Sequence, residues 1–167
     1  MTLFVLDFDG VLVRPYTDPE EFFPRALETC ARLVSLGFKV AVVSSNPRAY
    51  FRLSSHIGKE IHTLRARSAD KWWLAHEEYD DRAAYAQSNH KGLMIASVLT
   101  ELGDPRLNRL VVVEDKVEKA AQVLDTFRNW SGNPQQPLPT HVFTAGVTLL
   151  VVPSTVGLSS WTALTAL

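Results

Sequence analysis

Apolar residues along the chain fall into two kinds of pattern. Continuous runs rich in Val, Leu and Ile occur at Leu3 to Phe8, Phe38 to Ser44, Ile61 to Ala66, Leu110 to Val113 and His141 to Val152. They lack the alternation of a strand with one wet face and predict strands covered on both sides. Between them the apolar positions recur at helical spacing: Pro24, Leu27, Ala31 and Val34 with Leu36; Leu93, Ile95, Ala96, Leu99 and Leu102; Val117, Ala120, Ala121, Leu124 and Phe127. Strands alternating with helices predict an α/β sandwich around a parallel sheet.

The punctuation agrees. Gly37 and Gly103 stand where helices should close, and Asn46-Pro47 stands where one should open after the second strand. Trp130 to Thr140, WSGNPQQPLPT, reads as a polar surface loop, with too little chain after it for a second core. The 167 residues, 46% hydrophobic, suit one domain spanning positions 1–167 without disulfide or structural metal. A net charge of −1 gives no overall pull toward nucleic acid or membrane. The single cysteine, Cys30, cannot form an internal disulfide and reads as a small core residue. No signal-peptide pattern and no stretch of membrane-spanning length occurs, so a cytoplasmic location and no membrane partner are the expectation.

In an open parallel sheet, chemistry sits beyond the carboxyl ends of the strands. The residues there are Asp7 and Asp9 after the first run, Ser44 after the second, and Glu114 and Asp115 after the fourth. Four carboxylates converging in a crevice repel one another unless a cation lies among them, and a hard ion such as Mg²⁺ takes oxygen ligands while keeping positions for a phosphate.

These segments resemble the four motifs of the haloacid dehalogenase (HAD) superfamily, in order. DFDGV after a hydrophobic strand is similar to the first, VAVVSSN to the second, HKGLMIASVL to the third and LVVVEDKVEKAA to the fourth, over about Leu3 to Ala121. The resemblance implies a Rossmann-like three-layer α/β/α sandwich and a Mg²⁺-dependent phosphatase working through an aspartyl phosphate. It assigns Asp7 as nucleophile and Asp9 as general acid and base. It places Ser44 and Lys91 on the phosphoryl group, with Gly10, Ser45 and Asn46 beside them at the substrate. It assigns Mg²⁺ to Asp7, Asp9 through its backbone carbonyl, Asp115 and the neighbouring Glu114. An Asp at the second position favours phosphomonoester hydrolysis within this superfamily. The fourth motif, often Asp-Asp or Gly-Asp with a later Asp, is here Glu114-Asp115.

Other readings stay open. Ser44 or Ser45 also suits a helix cap, Lys91 a solvated helix start, and Lys116 is a rival cation inside the fourth motif. A non-catalytic phosphate-binding module would keep the same motifs. An end-processing phosphatase of nucleic acid would use the basic segment Arg48 to Lys71, which holds six bases against two acids; ordinary surface charge explains that segment better. The spacing leaves no room for a cap domain after the first motif and too little for a full one between the second and third, so the crevice should be open to a macromolecular substrate or to a small one enclosed by a second subunit. Trp72, Trp73, Tyr79 and Tyr85, within Ser68 to His90, suit core packing better than a small lid. The apolar tail Val151 to Leu167 suits either a last strand and helix or a dimer interface.

Overall fold

The computed structural model describes residues 1–66, 91–128, 147–154 and 157–158. Five strands, β1 (Thr2–Leu6), β2 (Lys39–Ser44), β3 (Thr63–Ala66), β4 (Arg109–Glu114) and β5 (Val147–Val151), form one parallel sheet in the order β3-β2-β1-β4-β5. The described helices are α1 (Ala26–Ser35), the short α2 (Ala49–Leu53), α3 (Lys91–Leu102) and α4 (Val117–Arg128). None of them is long and apolar enough to cross a membrane.

The apolar runs are continuous because the strands feed two cores. Phe4 and Leu6 of β1, with Val40, Val42, Val111 and Val113, pack on Ala26, Cys30 and Leu33 of α1. Leu3 and Val5, one residue out of phase, join Ala41, Val43, Leu110 and Val112 against Ile95, Val98 and Leu99 of α3 and Val123 of α4. All three strands of this central group are covered on both faces, giving the three layers expected from the sequence.

Local chemistry sets the boundaries. Gly37 ends α1 with φ +87°. Its N–H donates to the Val34 carbonyl at 3.0 Å and that of Phe38 to Leu33 at 3.1 Å, the paired bonds of a Schellman cap. Gly103, φ +53°, follows the last residue of α3, and its N–H donates to the Leu99 carbonyl at 3.1 Å. At the other end α1 begins at Ala26 and not at Pro24, because Arg25 adopts a left-handed backbone, φ 66°.

The chain between β1 and α1 is a loop held from both sides. Leu158 N–H donates to the Val11 carbonyl at 2.8 Å, and Phe23 N–H to that of Leu12 at 2.9 Å. Gly157 lies so close to Phe23 that a Cβ there would be 2.1 Å from its ring. The Ser68 to His90 segment with its aromatic residues, the Trp130 to Thr140 loop, the start of the fifth apolar run and the tail beyond Leu158 lie outside the described residues.

Candidate active site

The strand order reverses direction between β1 and β4, so the crevice at their carboxyl ends is where an open α/β sheet accepts a ligand. Asp7 is the first residue past β1, and its N–H still donates to the Val113 carbonyl at 3.0 Å. Glu114 ends β4, and Asp115 follows. The side chains of Asp7 and Glu114 are buried although both are acids.

Lys91 makes that burial tolerable. It is the first residue of α3, itself buried, and its Nζ donates to Asp7 Oδ1 at 2.9 Å and to the Val43 carbonyl at 2.7 Å. The same Nζ lies 3.3 Å from Glu114 Oε2. One ammonium thus ties together the ends of β1, β2 and β4, which a solvated helix-start lysine would not do.

The turn after Asp7 sets the position of Asp9. Phe8 O accepts from Leu12 N at 2.9 Å and from Val13 N at 3.1 Å, and Gly10 N donates to Val13 O at 2.8 Å. Gly10 has φ +77°, and a Cβ on it would lie 2.2 Å from Asp115 Oδ2. Glycine is therefore required twice, for its backbone and for the room it leaves Asp115. Asn46 Nδ2 faces both carboxylate oxygens of Asp9, at 3.1 and 3.4 Å. Asn46 is fixed in turn: its Oδ1 accepts from Arg48 N at 3.0 Å, and its own N–H donates to Ser44 Oγ at 3.1 Å. Ser44 is buried and shapes the turn into α2, while Ser45 is exposed.

A cavity of about 600 Å³ opens over these ends, lined among others by Asp9, Asn46, Arg48, Asp115, Lys116 and Lys119. Lys119 is the residue that sequence reasoning missed. It lies in the first turn of α4, half-buried, with Nζ 3.6 Å from Asp7 Oδ2. The mark it leaves in the sequence is weak: a lysine in a first helical turn opposes the helix dipole, an effect of only about 0.3–1 kcal/mol.

The environments of the two aspartates push them apart. Burial pushes Asp7 upward, but Lys91, a hydrogen bond with Glu114 and then Lys119 outweigh it and hold the carboxyl below its usual range. Burial also raises Asp9, and there the Asn46 hydrogen bond does not compensate while the Asp7 charge adds to the rise, so Asp9 lies above its usual range. Burial and then the contact with Asp7 push Glu114 upward as well. Lys119 is raised: burial works against its charge, and Asp7, Glu114 and Asp115 together prevail. Neighbouring carboxyl groups pushed in opposite directions are suited to different protonation states within one site.

The residues present fit a hard divalent cation. Asp7, Glu114 and Asp115 offer carboxylate oxygens within 4.8 Å of one another. Asp7 Oδ2, Glu114 Oε2 and Asp115 Oδ1 are each buried without a hydrogen-bond partner. An all-oxygen donor set whose buried oxygens lack hydrogen bonds suits a hard divalent ion such as Mg²⁺. The Asp9 side chain is not part of this cluster.

The basic segment after β2 is less free than its composition implies. Arg48 pairs with Asp18 at 3.3 Å and with the buried Glu20, Arg52 lies 3.9 Å from Glu20, and Arg65 pairs with Glu101. Arg67, Asp70 and Lys71 lie outside the described residues. Of the histidines, His62 accepts from Val40 N at 3.1 Å and His56 contacts Glu60 at 3.0 Å, while His76, His90 and His141 are outside the described residues.

No protein-family model matches the chain. No curated protein matches it either. Among solved structures, it is similar to a D,D-heptose 1,7-bisphosphate phosphatase from B. bronchiseptica complexed with magnesium and phosphate, with a TM-score of 0.55 and 16% identity over 99% of both chains. It is also similar to the Legionella pneumophila effector Ceg4, carrying an N-terminal yeast Hog1p sequence, with a TM-score of 0.54 and 11% identity over 99% of this chain and 92% of that one. At such identities the likeness speaks for the fold alone, a Rossmann-like α/β sandwich around a parallel sheet.

Proposed function

We propose that the chain is a Mg²⁺-dependent phosphomonoester hydrolase that forms an aspartyl phosphate on Asp7. The observation that carries this reading is the buried Asp7–Lys91 pair, 2.9 Å apart, set beside buried oxygens of Glu114 and Asp115 that lack a hydrogen bond, at the switch point of the sheet. The fold-level likeness to a phosphatase solved with magnesium and phosphate adds support.

In this mechanism the ionised Asp7 carboxylate attacks phosphorus, and the bond from phosphorus to the leaving oxygen breaks. Asp9, whose carboxyl burial holds above its usual range, gives that oxygen its proton. The Asp9 carboxylate then takes a proton from water as the water oxygen attacks the acyl phosphate, releasing phosphate and restoring Asp7. Lys91 keeps Asp7 charged and oriented between turnovers. Ser44 accepts from Asn46 and keeps its own proton for a phosphoryl oxygen; in this reading Gly10, Ser45 and Asn46 also contact the substrate. Mg²⁺ held by Asp7, Glu114, Asp115 and the Asp9 carbonyl would supply positive charge opposite the phosphoryl oxygens.

The open cavity accepts a macromolecular or a small phosphorylated substrate. The pairing of Arg48, Arg52 and Arg65 with acids gives the nucleic-acid alternative no added support. Purified protein incubated with Mg²⁺ and a broad panel of phosphate esters is expected to release phosphate, and chelator is expected to stop it. No release from any member would overturn the reading.

A further inference from the structure

Lys91 and Lys119 flank Asp7 on different carboxylate oxygens, and only one of the two is used up by the fold. Lys91 is buried, with Asp7 Oδ1, the Val43 carbonyl and Glu114 as partners. Lys119 makes a longer contact, 3.6 Å to Asp7 Oδ2, and that oxygen still lacks a hydrogen bond. Its ammonium retains donors, its side chain is about one-third exposed, and it lines the cavity beside Asp9, Asn46 and Asp115. A helix start is a poor place for a lysine, and although several carboxylates lie around this one, its ion pair with Asp7 is long and leaves hydrogen-bond donors unused.

We propose that Lys119 is a substrate-contacting residue, a second cation that binds a non-bridging oxygen of the phosphoryl group across Asp7 from Lys91. The assignment rests on the phosphatase reading and deepens it. Its charge also has a cost at the same site, because a cation beside Asp7 Oδ2 competes with a metal ion for the carboxylates. Lys119 therefore favours the phosphate and disfavours Mg²⁺, and removing it moves the two affinities in opposite directions.

The test measures, on the full chain, equilibrium binding of vanadate and inorganic phosphate in saturating Mg²⁺, and separately binding of Mg²⁺ alone. The proteins are the parent, Lys119→Met, Lys119→Arg and the distant charge control Lys39→Met. Lys119→Gln replaces Lys119→Met if thermal unfolding finds the latter unfolded. Loss of a charged hydrogen bond should weaken anion binding by about tenfold to a hundredfold in Lys119→Met. The same variant should bind Mg²⁺ alone more tightly, Lys119→Arg should keep most of the anion affinity, and Lys39→Met should match the parent. Anion binding by Lys119→Met equal to that of the parent would overturn the role of Lys119 while leaving the phosphatase reading intact. A parent protein that binds neither anion in Mg²⁺ would overturn both.

Discussion

The opposite shifts of Asp7 and Asp9 come from burial set against a few named neighbours, and the neighbours are open to test by substitution. Asp9 must be protonated to serve a leaving group, so a rate that depends on it falls as pH rises through its pKa. Burial raises that pKa, and the Asn46 amide, which stabilises the carboxylate, partly restrains it. Asn46→Ala should therefore move the alkaline limb of kcat/KM to higher pH, as read from a pH–rate profile; an unmoved limb, or one at lower pH, would contradict the acid role. Asp9→Asn should lower kcat by about 10²- to 10⁴-fold, most for esters with poor leaving groups. Gly10 is as exacting. A methyl group there meets Asp115 Oδ2 at 2.2 Å on a backbone with φ +77°. Gly10→Ala should lose Mg²⁺ affinity in a calorimetric titration and cost at least about 1 kcal/mol of stability by denaturant unfolding. The sequence made both aspartates visible through their place after an apolar run. It did not make Lys119 stand out, because its distance to Asp7 depends on how α4 leaves β4, which no local pattern encodes.

At the scale of elements, helix ends and strand ends carry the site. β1, β4 and the first turns of α3 and α4 bring Asp7, Glu114, Lys91 and Lys119 together from positions more than 80 residues apart in sequence. The strands were legible because burial on both faces leaves unbroken Val and Leu runs, and the helix stops because Gly37 and Gly103 each take a left-handed backbone. The start of α1 was not, since Arg25 and not Pro24 makes the turn into it. Nor did composition disclose that Arg48, Arg52 and Arg65 of the basic segment after β2 pair with Asp18, Glu20 and Glu101 from other parts of the chain. A cap such as that of α1 has a predictable worth. The Gly37 position has open space around it, so Gly37→Ala meets no clash and pays only for its left-handed backbone. It should lower stability by roughly 1–2 kcal/mol in urea unfolding without altering KM. A loss of substrate affinity would mean that α1 reaches the site by a route the fold does not contain.

Across the described residues the core is two-sided, and the buried charged groups Asp7, Lys91 and Glu114 gather at the carboxyl end of the sheet. Cys30 reports on the integrity of that core. It is fully buried in α1, and burial pushes its thiol up to about 12. A thiol reagent near neutral pH should therefore label Cys30 only as fast as the protein opens, and Mg²⁺, binding the folded state alone, should slow the labelling further. Immediate labelling of the folded protein would contradict the packing of α1 on the sheet. The central claim is chemical: buried Asp7, kept ionised by Lys91 and next to oxygen donors suited to Mg²⁺, is a nucleophile toward phosphorus. Its most direct test is phosphate release from an aryl phosphate by the parent protein and by Asp7→Asn, each with Mg²⁺ and with chelator. The account predicts turnover by the parent in Mg²⁺ alone and none by Asp7→Asn; turnover that survives the substitution would contradict it.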